Sequence, residues 1–283
     1  MEREHVNESE FVEWMKVIWI FLFIIGLLGG MIGSLVGLGG GIIIVPSLLF
    51  IGSYTDLLSG LTTQIVVGTS MFILIFTGLS SALSYLRQKK VDLRAGLTFF
   101  IGSGPGAIVG AIINKRLEGE LFETLFGVFI IFISFVLSVK KYLKPLKKEF
   151  GITRIYIDEK GAEQTYYFHS AIGISISFIV GVLSSLFGIG GGSLMVPTML
   201  LLFRFPPSVA VATSMFLVFL SSIVGSFAHI SYGNVHWLWA VALIPGAWIG
   251  GRLGASLNAH LKDSTVIVIF RLLLVIVGLR LIF

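Results

Sequence analysis

The chain has 283 residues, of which 55% are hydrophobic and 12% charged, with a formal charge of +5 and no cysteine. So apolar a composition cannot furnish a water-soluble surface, and the missing cysteines exclude disulfides and thiolate chemistry. The excess sits in long uncharged runs, so a polytopic membrane protein is expected.

Residues 1–15 form an acidic segment containing Glu2, Glu4, Glu8, Glu10 and Glu13. A secretory leader has a basic head, so the apolar run that follows is read as a retained helix. That run, Val17–Leu38, is uncharged over 22 residues, enough to cross a hydrocarbon core of about 30 Å. It closes on Gly37-Leu38-Gly39-Gly40-Gly41, and the short segment Ile42–Ile51 then carries Pro46. At about 1.5 Å per helical residue, such a segment covers roughly half a bilayer core. Ile65–Leu86 contains Thr69-Ser70-Met71-Phe72 and leads into a basic loop with Arg87, Lys89, Lys90 and Arg94. Ala95–Ile113, with Pro105-Gly106-Ala107, and Leu121–Val139 complete this half.

Five lysines follow, at 140, 141, 144, 147 and 148. The stretch around Ile155-Tyr156-Ile157, Asp158-Glu159-Lys160-Gly161 and Tyr166-Tyr167-Phe168 predicts a β-hairpin with a glycine-containing turn. It holds no catalytic constellation and reads as a connector. The phrases of the first half then return: Gly188-Ile189-Gly190-Gly191-Gly192 at the end of Ala171–Ile189, Pro197 in Ser193–Phe203, Thr213-Ser214-Met215-Phe216 in Val209–Ile230, and Pro245-Gly246-Ala247 in Val235–Gly251. Val266–Leu279 is the last run. The offsets are 151, 144 and 140 residues, in unchanged order.

Two internal repeats are therefore expected, at 16–142 and 169–283, joined by a linker at 143–168. Each has four long transmembrane helices and one short broken or re-entrant helix. If the short element crosses, there are five crossings per repeat and the halves are inverted; if it is re-entrant, there are four and the halves are parallel. The acidic N-terminus favours the inverted scheme. Two spans separate the basic loops, so both lie on one side, and the positive-inside rule makes that side, with the linker, cytoplasmic. Basic clusters beside membrane spans set topology, so no nucleic-acid partner is expected.

The glycine phrases are the candidate site. Three successive glycines, Gly39, Gly40 and Gly41 or Gly190, Gly191 and Gly192, permit a helix break and close ligand approach. Each run opens a new helix, whose first N–H groups lack intrahelical partners and whose dipole is positive there. Pro46 and Pro197 should kink or shorten that helix and free further backbone groups. Two such starts facing each other near the midplane would form an anion site without a cationic side chain. Close helix packing is the competing reading of a single glycine run, and duplication of the whole phrase weighs against it. The hydroxyls of Thr69, Ser70, Thr213 and Ser214 would donate to a bound oxyanion, or else back-bond to the carbonyl four residues earlier. Arg252 and Arg271 are candidates for anion attraction, with snorkelling or pairing to a carbonyl as the alternative. Acidic residues fall only at loops or segment ends, which leaves a buried carboxylate relay unsupported. His229 and His236 flank a short loop and read as interfacial.

These phrases resemble the sulfite exporter TauE/SafE family, part of the toluene sulfonate uptake permease superfamily. The resemblance covers about Trp14 to Phe283, with the hairpin as an insertion. Its repeated motif falls on Gly37–Pro46 and Gly188–Pro197, and its Thr-Ser step on Thr69-Ser70 and Thr213-Ser214. It implies a bacterial or archaeal inner-membrane secondary transporter of sulfite, sulfonates or similar small anions. One departure stands out: Pro46 to Thr69 spans 23 residues and Pro197 to Thr213 only 16. Export driven by the membrane potential is expected; an anion channel, or a carrier of a non-sulfur anion, is the alternative. An intramembrane enzyme is not expected, since no nucleophile or metal motif lies within the spans. No cofactor or metal is called for, and a homo-oligomer is left open.

Overall fold

The computed structural model describes residues 8–54, 62–139, 152–157, 163–258, 275 and 278–281. Nine helices and one hairpin are described: α1 (Glu8–Val36), α2 (Gly41–Tyr54), α3 (Thr63–Arg87), α4 (Leu93–Lys115), α5 (Gly119–Val139), β1 (Ile152–Ile157), β2 (Glu163–Phe168), α6 (Ser170–Phe187), α7 (Gly192–Leu201), α8 (Pro207–Ser231) and α9 (Trp237–Leu257). Among the described residues seven helices are long and apolar enough to cross a membrane, all but α2 and α7. This is a helical, multi-pass membrane protein. The lysine cluster and most of the last apolar run, Arg271 included, lie outside the described residues.

Local chemistry fixes the helix ends. Thr62 caps α3 by accepting from the Ile65 N–H, and Asp92 caps α4 by accepting from the Ala95 N–H. Pro207 opens α8 in the first turn, where its missing N–H removes no helical bond. Gly188 ends α6 in the left-handed region at φ 70°.

Burial separates the centre from the rim. The most apolar windows of α3 and α8 are 72% and 67% buried, against 39% for α1 and α5. The outer helices instead expose large apolar side chains such as Ile20, Phe21, Phe132 and Val241. In a membrane, lipid covers that surface.

Helix directions follow from glycine contacts. Gly68, near the start of α3, abuts Asn234 just beyond α8; Gly78 abuts Phe219 at mid-helix; and Asp92, beyond the end of α3, bonds Thr213 near the start of α8. Thus α3 and α8 are antiparallel. α1 runs parallel to α9, with Gly26 and Gly30 against Leu243 and Ala247, and Gly250 against Leu27. α4 runs parallel to α6 in the same way, with Gly102, Gly106 and Gly110 against Ile174, Phe178 and Val182. Small residues let these backbones approach, the usual device of membrane helix pairs. Gly40 lies against Gly29, and Gly39 against Gly33, so α2 doubles back along α1.

β1 and β2 pair antiparallel from Ile152↔Phe168 to Ile157↔Glu163. Tyr166 and Phe168 are buried, and the Tyr166 and Phe205 rings lie 4.3 Å apart. The Tyr167 N–H donates to the Phe203 carbonyl at 3.0 Å. The hairpin is therefore docked on the α7–α8 connection.

Candidate functional site

Residues 37–41 and 188–192 are all buried, and the two breaks touch. Gly37, Gly39, Gly188 and Gly190 hold φ between 70° and 78°, a region that L side chains rarely adopt. This alternation of left-handed and ordinary residues turns each chain sharply and sends α2 and α7 back inward. A Cβ on Gly41 would collide with the Gly188 carbonyl, and one on Gly192 with the Gly37 carbonyl. Each short helix thus begins against the break of the other half. The proline of each short helix is buried and internal; its lost N–H frees the Ile42 or Ser193 carbonyl.

The Thr-Ser steps tie the halves together. The Ser70 hydroxyl donates to the Gly188 carbonyl at 2.7 Å, and the Ser214 hydroxyl donates to the Gly37 carbonyl at the same distance. Thr69 Oγ1 accepts from the backbone N–H of His236 at 2.9 Å, and Thr213 Oγ1 accepts from that of Asp92 at 3.0 Å. His236 and Asp92 are themselves the N-cap residues of α9 and α4. All four bonds therefore run from one half of the chain to the other. All four side chains are 0% exposed, so each bond forms where water offers no substitute.

Between the breaks stand two apolar side chains. Leu74 approaches both Gly39 and Gly190, the nearest approaches being 3.4 and 3.2 Å to their ideal Cβ positions. Val218 does the same at 3.5 and 3.1 Å. Leu74 follows Ser70 by four residues, and Val218 follows Ser214 by four. Together with Met71 they form a small separate core. Gly191 alone among these six glycines of the two runs (39–41 and 190–192) leaves ordinary space for a Cβ, with Ser221 Oγ at 3.5 Å and Val180 at 3.7 Å.

The structure thus brings Gly39–Gly41, Ser70, Gly190–Gly192 and Ser214 together and sets Thr69 and Thr213 one residue earlier on the same helices. Arg252 is exposed on α9. His229, expected at the interface, is 0% exposed and lies within hydrogen-bond distance of the Ser185 carbonyl, 3.0 Å from Nε2. The expectation failed because distance from a segment end does not reveal which face of the helix a residue occupies. Tyr85 takes the matching place in the first half and donates to the Ser34 carbonyl at 2.9 Å. Leu74, Val218 and this Tyr–His correspondence were missed in the sequence. Their offset of 144 from one another, shared with the Thr-Ser step, was the available signal.

The family described as "Sulfite exporter TauE/SafE" matches residues 22–281. The chain belongs to this family. Among its relatives is the "Probable membrane transporter protein YunE" of Bacillus subtilis, 50% identical over 94% of this chain and 97% of that protein. A "probable membrane transporter protein" of Methanocaldococcus jannaschii is 25% identical over 91% and 93%, and one of Haemophilus influenzae is 25% identical over 92% and 97%. No solved structure matches the chain. The protein is a membrane transporter of the TauE/SafE family, not an enzyme.

Proposed function

We propose that the chain carries small anions, with sulfite or an organosulfonate as the first candidate, and binds them at the paired breaks. The observation that carries this reading is the meeting of the two buried breaks, from each of which a short helix starts, α2 against the Gly188 carbonyl and α7 against the Gly37 carbonyl. The neighbours of the break glycines are apolar side chains, main chain and serines. Positive potential there comes from N–H groups and helix dipoles, which attract an anion without trapping it as a buried lysine or arginine would. The family description points to sulfite, and the chemistry of the site accepts any small oxyanion.

The antiparallel packing of α3 and α8, and the doubling back of α2, favour two inverted repeats with the short helix counted as a crossing. On that reading the linker and the loop bearing Arg87, Lys89, Lys90 and Arg94 face the cytoplasm. The four hydrogen bonds between halves would then open in turn as the site faces one side and the other. An interior-negative potential favours anion exit by about 2.3 kcal/mol per charge per 100 mV. Export therefore needs no coupling ion.

Counterflow of labelled sulfite in proteoliposomes tests this reading. Saturable exchange that accelerates when the potential opposes anion retention supports an anion carrier. Flux that never saturates would replace the carrier with a channel, and flux indifferent to a clamped potential would remove the proposed driving force.

A further inference from the structure

Away from the breaks, a cavity of about 440 Å³ opens between the hairpin and the α3–α4 loop. Among the described residues, Lys89, Lys90, Arg94 and Arg154 line it together with the carboxylate of Asp92. That carboxylate is already committed. Its Oδ1 accepts from the Ala95 N–H at 3.0 Å, and its Oδ2 accepts from the Tyr166 hydroxyl at 2.8 Å. Burial and then this hydrogen bond push the Tyr166 phenol above its ordinary range, so it remains a donor. Arg154 Nε is buried without a hydrogen-bond acceptor, its approach to Asp92 Oδ2 being 3.9 Å. That is an ion-pair distance, too long for a hydrogen bond. Among the described lining residues, Lys89, Arg94 and Arg154 thus outnumber the one carboxylate of Asp92 even with Lys90 set aside, and Arg154 Nε is a donor that an arriving oxygen would satisfy.

Its position says more. Leu93 belongs to the lining and is 46% exposed. Leu97 and Ile101 follow at four-residue intervals on the same face of α4, and both are exposed. An apolar track thus runs from the mouth of the cavity down the lipid-facing side of a membrane helix. A cationic pocket continuous with an apolar track matches an amphiphile with an anionic head.

We propose that this cavity binds the phosphate of an anionic phospholipid whose acyl chain lies along Leu93, Leu97 and Ile101. Lys89 and Arg94, both exposed, meet the phosphate from the rim, and Arg154 meets it from the hairpin. The site is separate from the paired breaks and stands whatever anion the protein transports.

The test is lipid retention by native mass spectrometry on the full chain, with phosphatidylglycerol, phosphatidylcholine and glycerol 3-phosphate offered separately. Phosphatidylglycerol should be retained over phosphatidylcholine. A basic residue at an anionic surface is worth about fivefold in affinity. The Lys89→Gln/Arg94→Gln double variant should therefore lose about twenty-fivefold in phosphatidylglycerol affinity, and Arg116→Gln, at the other end of α4, should lose nothing. Both changes fall on exposed side chains, so folding should be unaffected, with thermal melting as the check. Equal retention of the two lipids, or an unchanged preference in the double variant, would overturn the proposal. Saturation by glycerol 3-phosphate as tight as by the lipid would also overturn it, making the cavity a site for a soluble phosphate.

Discussion

Two adjacent glycines should respond very unequally to the same substitution. Gly192→Ala places a methyl on the Gly37 carbonyl and 2.6 Å from Ser214 Oγ. Neither neighbour can give way cheaply, because that carbonyl and that hydroxyl already bond each other at 2.7 Å. Overpacking of this kind costs about 1–3 kcal/mol. Pushing the breaks apart also forfeits a buried hydrogen bond, another roughly 1–3 kcal/mol. Gly191→Ala meets nothing closer than 3.5 Å, and Gly191 has φ −63°, which alanine adopts freely. Stiffening the unfolded chain gains about 0.4–1 kcal/mol, and losing glycine at a helix N-cap costs about as much. Its net effect should lie within about 1 kcal/mol of zero, against a loss of about 2–6 kcal/mol for its neighbour. Thermal melting of the detergent-purified variants, with the yield of monodisperse protein, measures the difference. Equal stability of the two would refute the claim that the breaks are in backbone contact.

The bonds between halves make further predictions. Ser70→Ala and Ser214→Ala each leave a buried carbonyl without its hydroxyl donor and should each cost about 1–3 kcal/mol by the same melting assay. Similar losses from the two are expected, and a loss in one alone would contradict the correspondence of the two halves. Tyr166→Phe removes the hydroxyl that holds Asp92 and should cost about 1–2 kcal/mol. Limited proteolysis in the linker should rise with it, and unchanged cleavage would mean the hairpin is held without the Tyr166 hydroxyl, by its aromatic contacts and the Tyr167 N–H to Phe203 carbonyl bond.

Much of the membrane architecture was legible in the sequence, because uncharged runs of membrane length have few other uses. The short helices were legible for a sharper reason. A glycine run followed by an internal proline sets both ends, and Ile42–Ile51 and Ser193–Phe203 lie close to the observed Gly41–Tyr54 and Gly192–Leu201. The two strands followed from Ile155-Tyr156-Ile157 and Tyr166-Tyr167-Phe168, and the glycine-containing turn expected between them lies outside the described residues. The partners of the site were not legible. Ser70 reaches a carbonyl 118 residues away and Ser214 one 177 residues away, a pairing fixed only by how α3 and α8 cross. Local reasoning offers a serine its own helix or a ligand, and here it donates to the turn of the opposite half. The same blindness placed His229 at an interface. Its burial depends on α6, which supplies the Ser185 carbonyl.

Binding of small anions where the two breaks meet has a direct test. Efflux of labelled sulfite from proteoliposomes tests it most directly, with wild type compared with Gly191→Leu, whose Cβ the structure accommodates. Sulfate, chloride and sulfoacetate serve as competitors, and equal melting temperatures confirm that both proteins are folded. Saturable efflux is expected in the wild type and its loss in the variant. Undiminished efflux with unchanged half-saturation in Gly191→Leu would place the anion elsewhere and leave the paired glycines as packing alone.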